Sequence, residues 1–146
     1  MKLTSTAAKR LYNEQGASIT IPDSYTAIGY AAFDGYYYDY IKSVAIPSTI
    51  KSIGRYAFRY NLIKSINIPD GVETISQGAF EDNYIAKLNI PSSVKLIEED
   101  AFASNKIKKL KIADGIEELN GFFDNKLRKL KLPSSVVEIG DYGFQD

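Results

Sequence analysis

Eight cations fall on two short segments near the end of the chain. Lys106, Lys108, Lys109 and Lys111 surround Ile107 and Leu110; Lys126, Arg128, Lys129 and Lys131 surround Leu127 and Leu130. Both sets hold the same slots relative to their apolar neighbours. On stacked strands, about 4.8 Å apart, like charges would therefore share columns. Such crowding costs energy that an anionic partner relieves. An acidic polysaccharide, a lipid head group, nucleic acid or an acidic protein face would serve. The competing reading is a solvated face balanced by acids elsewhere, Glu98, Glu99, Asp100, Asp114, Glu117 and Glu118. A second group is aromatic. Tyr36, Tyr37, Tyr38 and Tyr40 crowd one stretch, and Tyr60 and Tyr84 take nearby slots further along. Exposed tyrosine offers rigid area with a polar tip, suited to protein contact or to stacking on sugar rings. Its competing reading is gap filling. The residues this places in a binding role are Tyr37, Tyr60, Tyr84, Lys64, Lys108 and Arg128.

Other chemistry is poorly supplied. The chain has no Cys and no His, which removes disulfides, thiol nucleophiles, imidazole bases and the usual zinc ligands. The carboxylate pairs Glu98-Glu99 and Glu117-Glu118 are neighbours in sequence, not two acids facing one pocket. Asp70-Gly71 and Asp114-Gly115 are turn signals without the further ligands of a calcium loop. No catalytic residue, metal or cofactor is expected. Eighteen basic and 18 acidic residues cancel, so overall charge gives nucleic acid no support. Nothing in the sequence calls for membrane insertion: no run of 18 apolar residues occurs, and Met1 to Glu14 carry no signal-peptide core.

The elements that position these groups are read from a repeat. Ile-Pro opens at Ile21, Ile46, Ile68 and Ile90, with degenerate copies at Ile112-Ala113 and Leu132-Pro133, in steps of 25, 22, 22, 22 and 20 residues. Ala-Phe follows about ten residues after most openings. One coil supplies Ile46, Ile50, Ile53, Ala57, Phe58, Ile63 and Ile66; the next two supply chemically matching sets from Ile68 and Ile90. A period of this length, with 45% apolar residues, predicts a solenoid whose coils bury their apolar edges against one another. Alternation over Ile63–Ile68 predicts a strand ended by Pro69, and Val72–Ile75 a second short one. Gln77–Phe80 is too short for an α-helix and reads as a 3₁₀ turn. Two narrow parallel sheets joined by turns follow. Asn61, Asn83, Asn105 and Asn125 recur before the first strand, with Asp39 in that slot of the longer coil. They read as a structural ladder bonding the backbone of adjacent coils, in preference to a ligand row.

These residues resemble the BspA-type leucine-rich repeats, whose pattern Ile-Pro-x-x-Val-x-x-Ile-Gly-x-x-Ala-Phe-x-x-(Cys/Asn)-x-Leu-x-x-Leu-x fits Ile46–Asn67 in nearly every slot. The resemblance covers about residues 19 to 144. It implies a right-handed leucine-rich-repeat coil and a bacterial or protist surface module for adhesion or recognition, without shared catalytic residues. The chain departs from the pattern by three extra residues within Asp34–Tyr40 and by two lost residues in the coil from Ile112.

A single domain results, with residues 1–20 as an N-terminal cap and partial first coil and 21–146 as the solenoid. Ser5 or Thr6 is the expected N-cap of a helix to Gln15, ended by Gly16, with Leu11 in the Phe column. The chain stops in mid-repeat at Phe144-Gln145-Asp146, which reads as truncation of a longer array or as an uncapped end open to homo-oligomerisation. The leading functional expectation is a recognition or adhesion module for a protein or glycan ligand, an anionic one where the cation sets make the contact. A structural spacer or self-assembly unit, and an intracellular protein-binding effector or inhibitor, stand as alternatives. Location follows the same division: surface or secreted for an excised domain, cytoplasmic for a complete chain.

Overall fold

The computed structural model of the chain describes residues 1–37, 39–141 and 143–144. Tyr38, named above with the tyrosines, and Gln145 and Asp146, at the end of the last repeat, lie outside the described residues. The elements run β1 (Lys2–Leu3), α1 (Ser5–Gln15), β2 (Ser18–Thr20), β3 (Ala27–Ile28), β4 (Ser43–Ala45), β5 (Ser52–Ile53), β6 (Thr74–Ile75), β7 (Lys87–Ile90), β8 (Leu96–Ile97), β9 (Lys109–Ile112), β10 (Glu118–Leu119) and β11 (Glu138–Ile139). Every pairing is parallel. The result is a β-solenoid of about six turns with one short helix. One side carries the ladder β1-β3-β5-β6-β8 and then β10-β11; the opposite side carries β2-β4 and β7-β9.

The core is the set of repeated columns. Ile50, Ile53, Ala57, Phe58 and Ile63 are completely buried, as are Val72, Ile75, Ala79, Phe80 and Ile85 one coil later. Phe33, Phe58, Phe80, Phe102, Phe122 and Phe144 form one stack, with centroids 5.1–5.5 Å apart and planes within 12° of parallel. That separation is close to the spacing of hydrogen-bonded strands, so ring stacking and backbone pairing are satisfied by the same rise per coil. At the start, Leu3 aligns with Ile28 across β1 and β3 and is wholly buried. The N-cap is Thr4, one residue earlier than expected, because its hydroxyl is the one that accepts from the Ala7 N–H, at 3.3 Å. Gly16 ends the helix at φ +71°, where a side chain would be strained.

The turn before each Phe bonds in two directions. Ala79 and Glu81 donate within their own coil, to Ser76 and Gly78, as a 3₁₀ turn would; Gly78, Phe80 and Asp82 donate to the next coil, to Glu99, Ala101 and Ala103. The alternation needs a left-handed residue before the Ala-Phe pair and another two residues after the Phe. Non-glycine residues fill most of these places: Ala31, Tyr56 and Asp100 in the first set, Tyr60, Asp82, Ser104 and Asp124 in the second, at φ of +46° to +57°. The strand expected over Ile63–Ile68 does not form. Lateral bonds reach it from Tyr84 to Ile63 and from Ala86 to Lys64 and then cease. Alternation decides which side chains face inward, whereas a strand also requires continuous backbone pairing with a neighbour. The segment Leu127–Lys131 is likewise not a strand, so the second cation set lies on irregular backbone. Among the described residues no helix is long and apolar enough to cross a membrane.

Candidate binding groove and basic face

The Asn row is spent on the backbone. Each side chain is buried, its Oδ1 accepting from the previous coil and its Nδ2 donating to three carbonyls. For Asn83 the Ile63 N–H donates to Oδ1 at 3.1 Å, and Nδ2 donates to the carbonyls of Phe58, Phe80 and Glu81 at 2.8, 3.2 and 3.3 Å. Asn61, Asn105 and Asn125 repeat this set. An amide is required, since only it offers an acceptor and two donor hydrogens from one planar group. Asp39 does not take this slot and is exposed. The buried acid of that coil is Asp34, whose Oδ2 accepts from Arg59 Nε and Nη2 at 3.2 and 2.9 Å while Oδ1 accepts from the Tyr36 N–H at 3.0 Å. The Asp34–Arg59 fork anchors the insertion to the next coil.

The residues on either side of each Asn form walls. On one side stand Tyr60, Asp82, Ser104 and Asp124; on the other stand Tyr40, Leu62, Tyr84, Lys106 and Lys126. The second wall is held in register by bonds from Leu62, Tyr84, Lys106 and Lys126 to Ile41, Ile63, Ile85 and Ile107, at 2.9–3.0 Å. Between the walls lies an open hollow of about 650 Å³, lined by Tyr36, Tyr40, Tyr60, Tyr84, Asp82, Ser104 and Lys106 over the floor residues Asn61 and Asn83. Tyr36, Tyr40 and Tyr84 are strongly exposed. Tyr60 sits at φ +54°, a conformation that costs a bulky L residue on the order of 1–2 kcal/mol. Its position is over-determined from below, because a Cβ on Gly35 would come within 1.8 Å of the Tyr60 carbonyl oxygen. The Arg59 guanidinium lies 4.0 Å from the Tyr56 ring centroid and 4.8 Å from that of Tyr60, clamping both.

The basic side continues from this wall. Lys87 pairs directly with Lys109, and Asn89 with Lys111, across β7 and β9. Lys108 and Arg128 both line two adjoining basins of about 480 and 680 Å³. Among the described residues the ion pairs are Arg59–Asp34 and Lys126–Asp124, the latter at 3.8 Å; the cations of the two basins other than Lys126 have no carboxylate partner there. Like charges also meet on the opposite side, where Glu118 pairs with Glu138 across β10 and β11. Like-charge pairing is thus basic across β7 and β9 and acidic across β10 and β11.

Of the residues singled out from sequence, the structure gathers Tyr60 with Tyr84 in the hollow and Lys108 with Arg128 in the basins. Lys64 shares the Lys108 column but is separated from it by Ala86. Tyr37 meets Tyr36 edge-on at 5.1 Å and stays outside the lining, where Tyr36 and Tyr40 stand instead. Asp82 and Ser104 were not singled out. Their signal is the slot immediately before each ladder Asn, legible once the coils are aligned on the Asn. Burial raises Glu81 and Asp82 from their ordinary values; Asp82 adds to the rise of Glu81, while Arg59 opposes both. Burial, followed by Asp82 and Glu81, likewise raises the Tyr60 phenol. Among the described residues no three carboxylates converge as a metal site.

Known proteins fit this geometry. The description "BspA type Leucine rich repeat region" matches in six copies, over residues 4–121 and 34–146. The chain belongs to the BspA-type leucine-rich repeat family. Among solved structures, this BspA-type chain is similar to the pneumococcal vaccine antigen PcpA, at 31% identity and a TM-score of 0.65, over 73% of this chain and 28% of that one. It is also similar to a leucine-rich repeat protein from Bacteroides ovatus, at 28% identity and a TM-score of 0.61, over 88% of this chain and 43% of that one. The chain thus spans less than half the length of either. Comparison with curated proteins finds no match. The BspA-type leucine-rich repeat fold suggests a protein-interaction or adhesion module.

Proposed function

We propose that the chain is a non-catalytic recognition and adhesion module that binds its partner through the side carrying β7 and β9 and the groove beside it. The observation that carries this reading is the Lys87–Lys109 pairing, extended by Lys108 and Arg128, with no carboxylate partner among the described residues. Like charges directly opposite in a ladder are destabilising. The fold has no need of them, since the same columns are filled by Ser65 and Asn67 in an earlier coil. A cationic surface of this kind raises the rate and specificity of encounter with an anionic face.

The test is capture of the purified chain by a panel of immobilised acidic proteins and of acidic and neutral polysaccharides. Lys108→Glu with Arg128→Glu is expected to abolish capture and to leave the melting temperature nearly unchanged, because both side chains are solvated. Glu118→Lys with Glu138→Lys, on the opposite side, is expected to leave capture intact. The reverse pattern would place the binding surface on that side. Silence across the panel would favour a spacer role.

A further inference from the structure

We infer that the groove over the Asn row binds an acidic polysaccharide lying along the solenoid axis, one sugar ring per coil. This deepens the recognition role proposed above and rests on it. The floor contributes little, because the Asn amides are fully engaged with the backbone. Recognition falls to the walls, and these change character along the axis. The first coils line the groove with Tyr60 and Tyr84, and tyrosine rings suit the apolar C–H face of a pyranose. Asp82 and the Ser104 hydroxyl follow Tyr60 on its wall, opposite Tyr84, and paired hydroxyls on a sugar ring are natural donors to a carboxylate. Lys106 and Lys126 follow Tyr84 in its column, placed for a sugar carboxylate or sulfate, and the groove opens there onto the basins of Lys108 and Arg128.

Spacing favours a glycan over other polyanions. A pyranose ring advances its chain by nearly the separation of two paired strands, about 4.8 Å, so successive rings stay in phase with successive coils. Single-stranded nucleic acid also uses aromatic platforms beside cations. Its stacked bases advance by only about 3.4 Å, however, and fall out of phase with the coils. An acidic peptide advances by about 3.3 Å per residue and falls out of phase in the same way.

The experiment is titration calorimetry with oligomers of two to eight rings from polygalacturonate, alginate, hyaluronan and chondroitin sulfate, each beside its carboxyl-reduced form. A single-stranded oligonucleotide and polyglutamate of matched charge complete the set. At least one acidic glycan is expected to gain affinity with length up to about five rings, the number of coils along the wall, and to level off beyond. Tyr84→Ala is expected to weaken it about tenfold without changing its salt dependence, as loss of one stacking ring should. Lys106→Gln with Lys126→Gln is expected to weaken it and to flatten the salt dependence. Oligonucleotide or polyglutamate binding as tightly as the best glycan overturns the inference, as does glycan binding indifferent to Tyr84. If no glycan binds while Lys108→Glu with Arg128→Glu still removes capture of a protein from the panel, the glycan inference falls and the recognition role stands. If neither binds, both fall.

Discussion

Asn61, Asn83, Asn105 and Asn125 hold one place in four successive coils, with the same set of bonds each time. The places immediately before and after them run Tyr60, Asp82, Ser104, Asp124 and Leu62, Tyr84, Lys106, Lys126. Floor and walls are consecutive residues on one backbone, yet one is uniform and the others vary. The floor faces the same carbonyls and the same N–H in every coil, so one side chain solves the problem everywhere. The walls face solvent and answer only to backbone geometry, and the left-handed slot admits Asp and Ser readily and Tyr at a cost. In a repeat protein the coils are one another's controls: uniform columns hold the stack together, and a column that changes along the axis is free to serve a ligand.

The sharpest way to break that contrast is at the floor. Asn105→Ala strands the buried Ile85 N–H and leaves the Phe80 and Phe102 carbonyls to Asn83 and Asn125 alone, and should cost about 2–4 kcal/mol in a denaturant titration. Asn105→Asp keeps the shape but turns two donors into a carboxyl facing carbonyl oxygens. Its folded pKa is raised, so the variant should be most stable in acid and lose stability as pH rises through that value. A loss no greater than that of an exposed wall substitution would remove the distinction between floor and walls.

A smaller effect is expected where the insertion meets the wall. Gly35→Ala places a Cβ against the Tyr60 carbonyl, and relief requires a backbone shift that should cost about 1–3 kcal/mol and move the Tyr36 and Tyr60 rings. Unchanged stability together with unchanged tyrosine fluorescence would show that the hollow tolerates a looser fit.

The smallest effect sharpens the electrostatic side of the comparison. Glu81 titrates higher in the folded chain than its ordinary value, chiefly through burial. Such a group adds stability below its unfolded pKa, and that contribution is lost as pH rises through the folded one. Glu81→Gln should therefore raise the melting temperature slightly at neutral pH, with the gain disappearing as the pH falls to the ordinary carboxylate range. An equal gain at both pH values would assign the effect to packing.

Much of the fold was legible because the columns repeat. Phe58, Phe80 and Phe102 recur every 22 residues, and only stacking gives such spacing a meaning. The Asn slot was legible for the same reason. The first coil was harder to read, since an insertion destroys the alignment that made the others readable. The recurring slot pointed to Asp39, whereas the buried acid is Asp34, held by an arginine 25 residues away. Among the binding candidates Tyr60 and Tyr84 line the hollow and Lys108 and Arg128 the basins, while Tyr37 stands beside a hollow that Tyr36, Tyr40, Asp82 and Ser104 also line.

By itself the sequence determined the period, the buried columns, the Asn row and the two blocks of cations, because each is a spacing along the chain that the coil turns into proximity. The tertiary structure alone decided the rest: the interruption of the ladder over Ile63–Ile68, the placing of Asp34 under Arg59, and the meeting of the walls around one hollow. These depend on lateral hydrogen bonds and on the left-handed turns that aim the side chains, and no spacing along the chain encodes either.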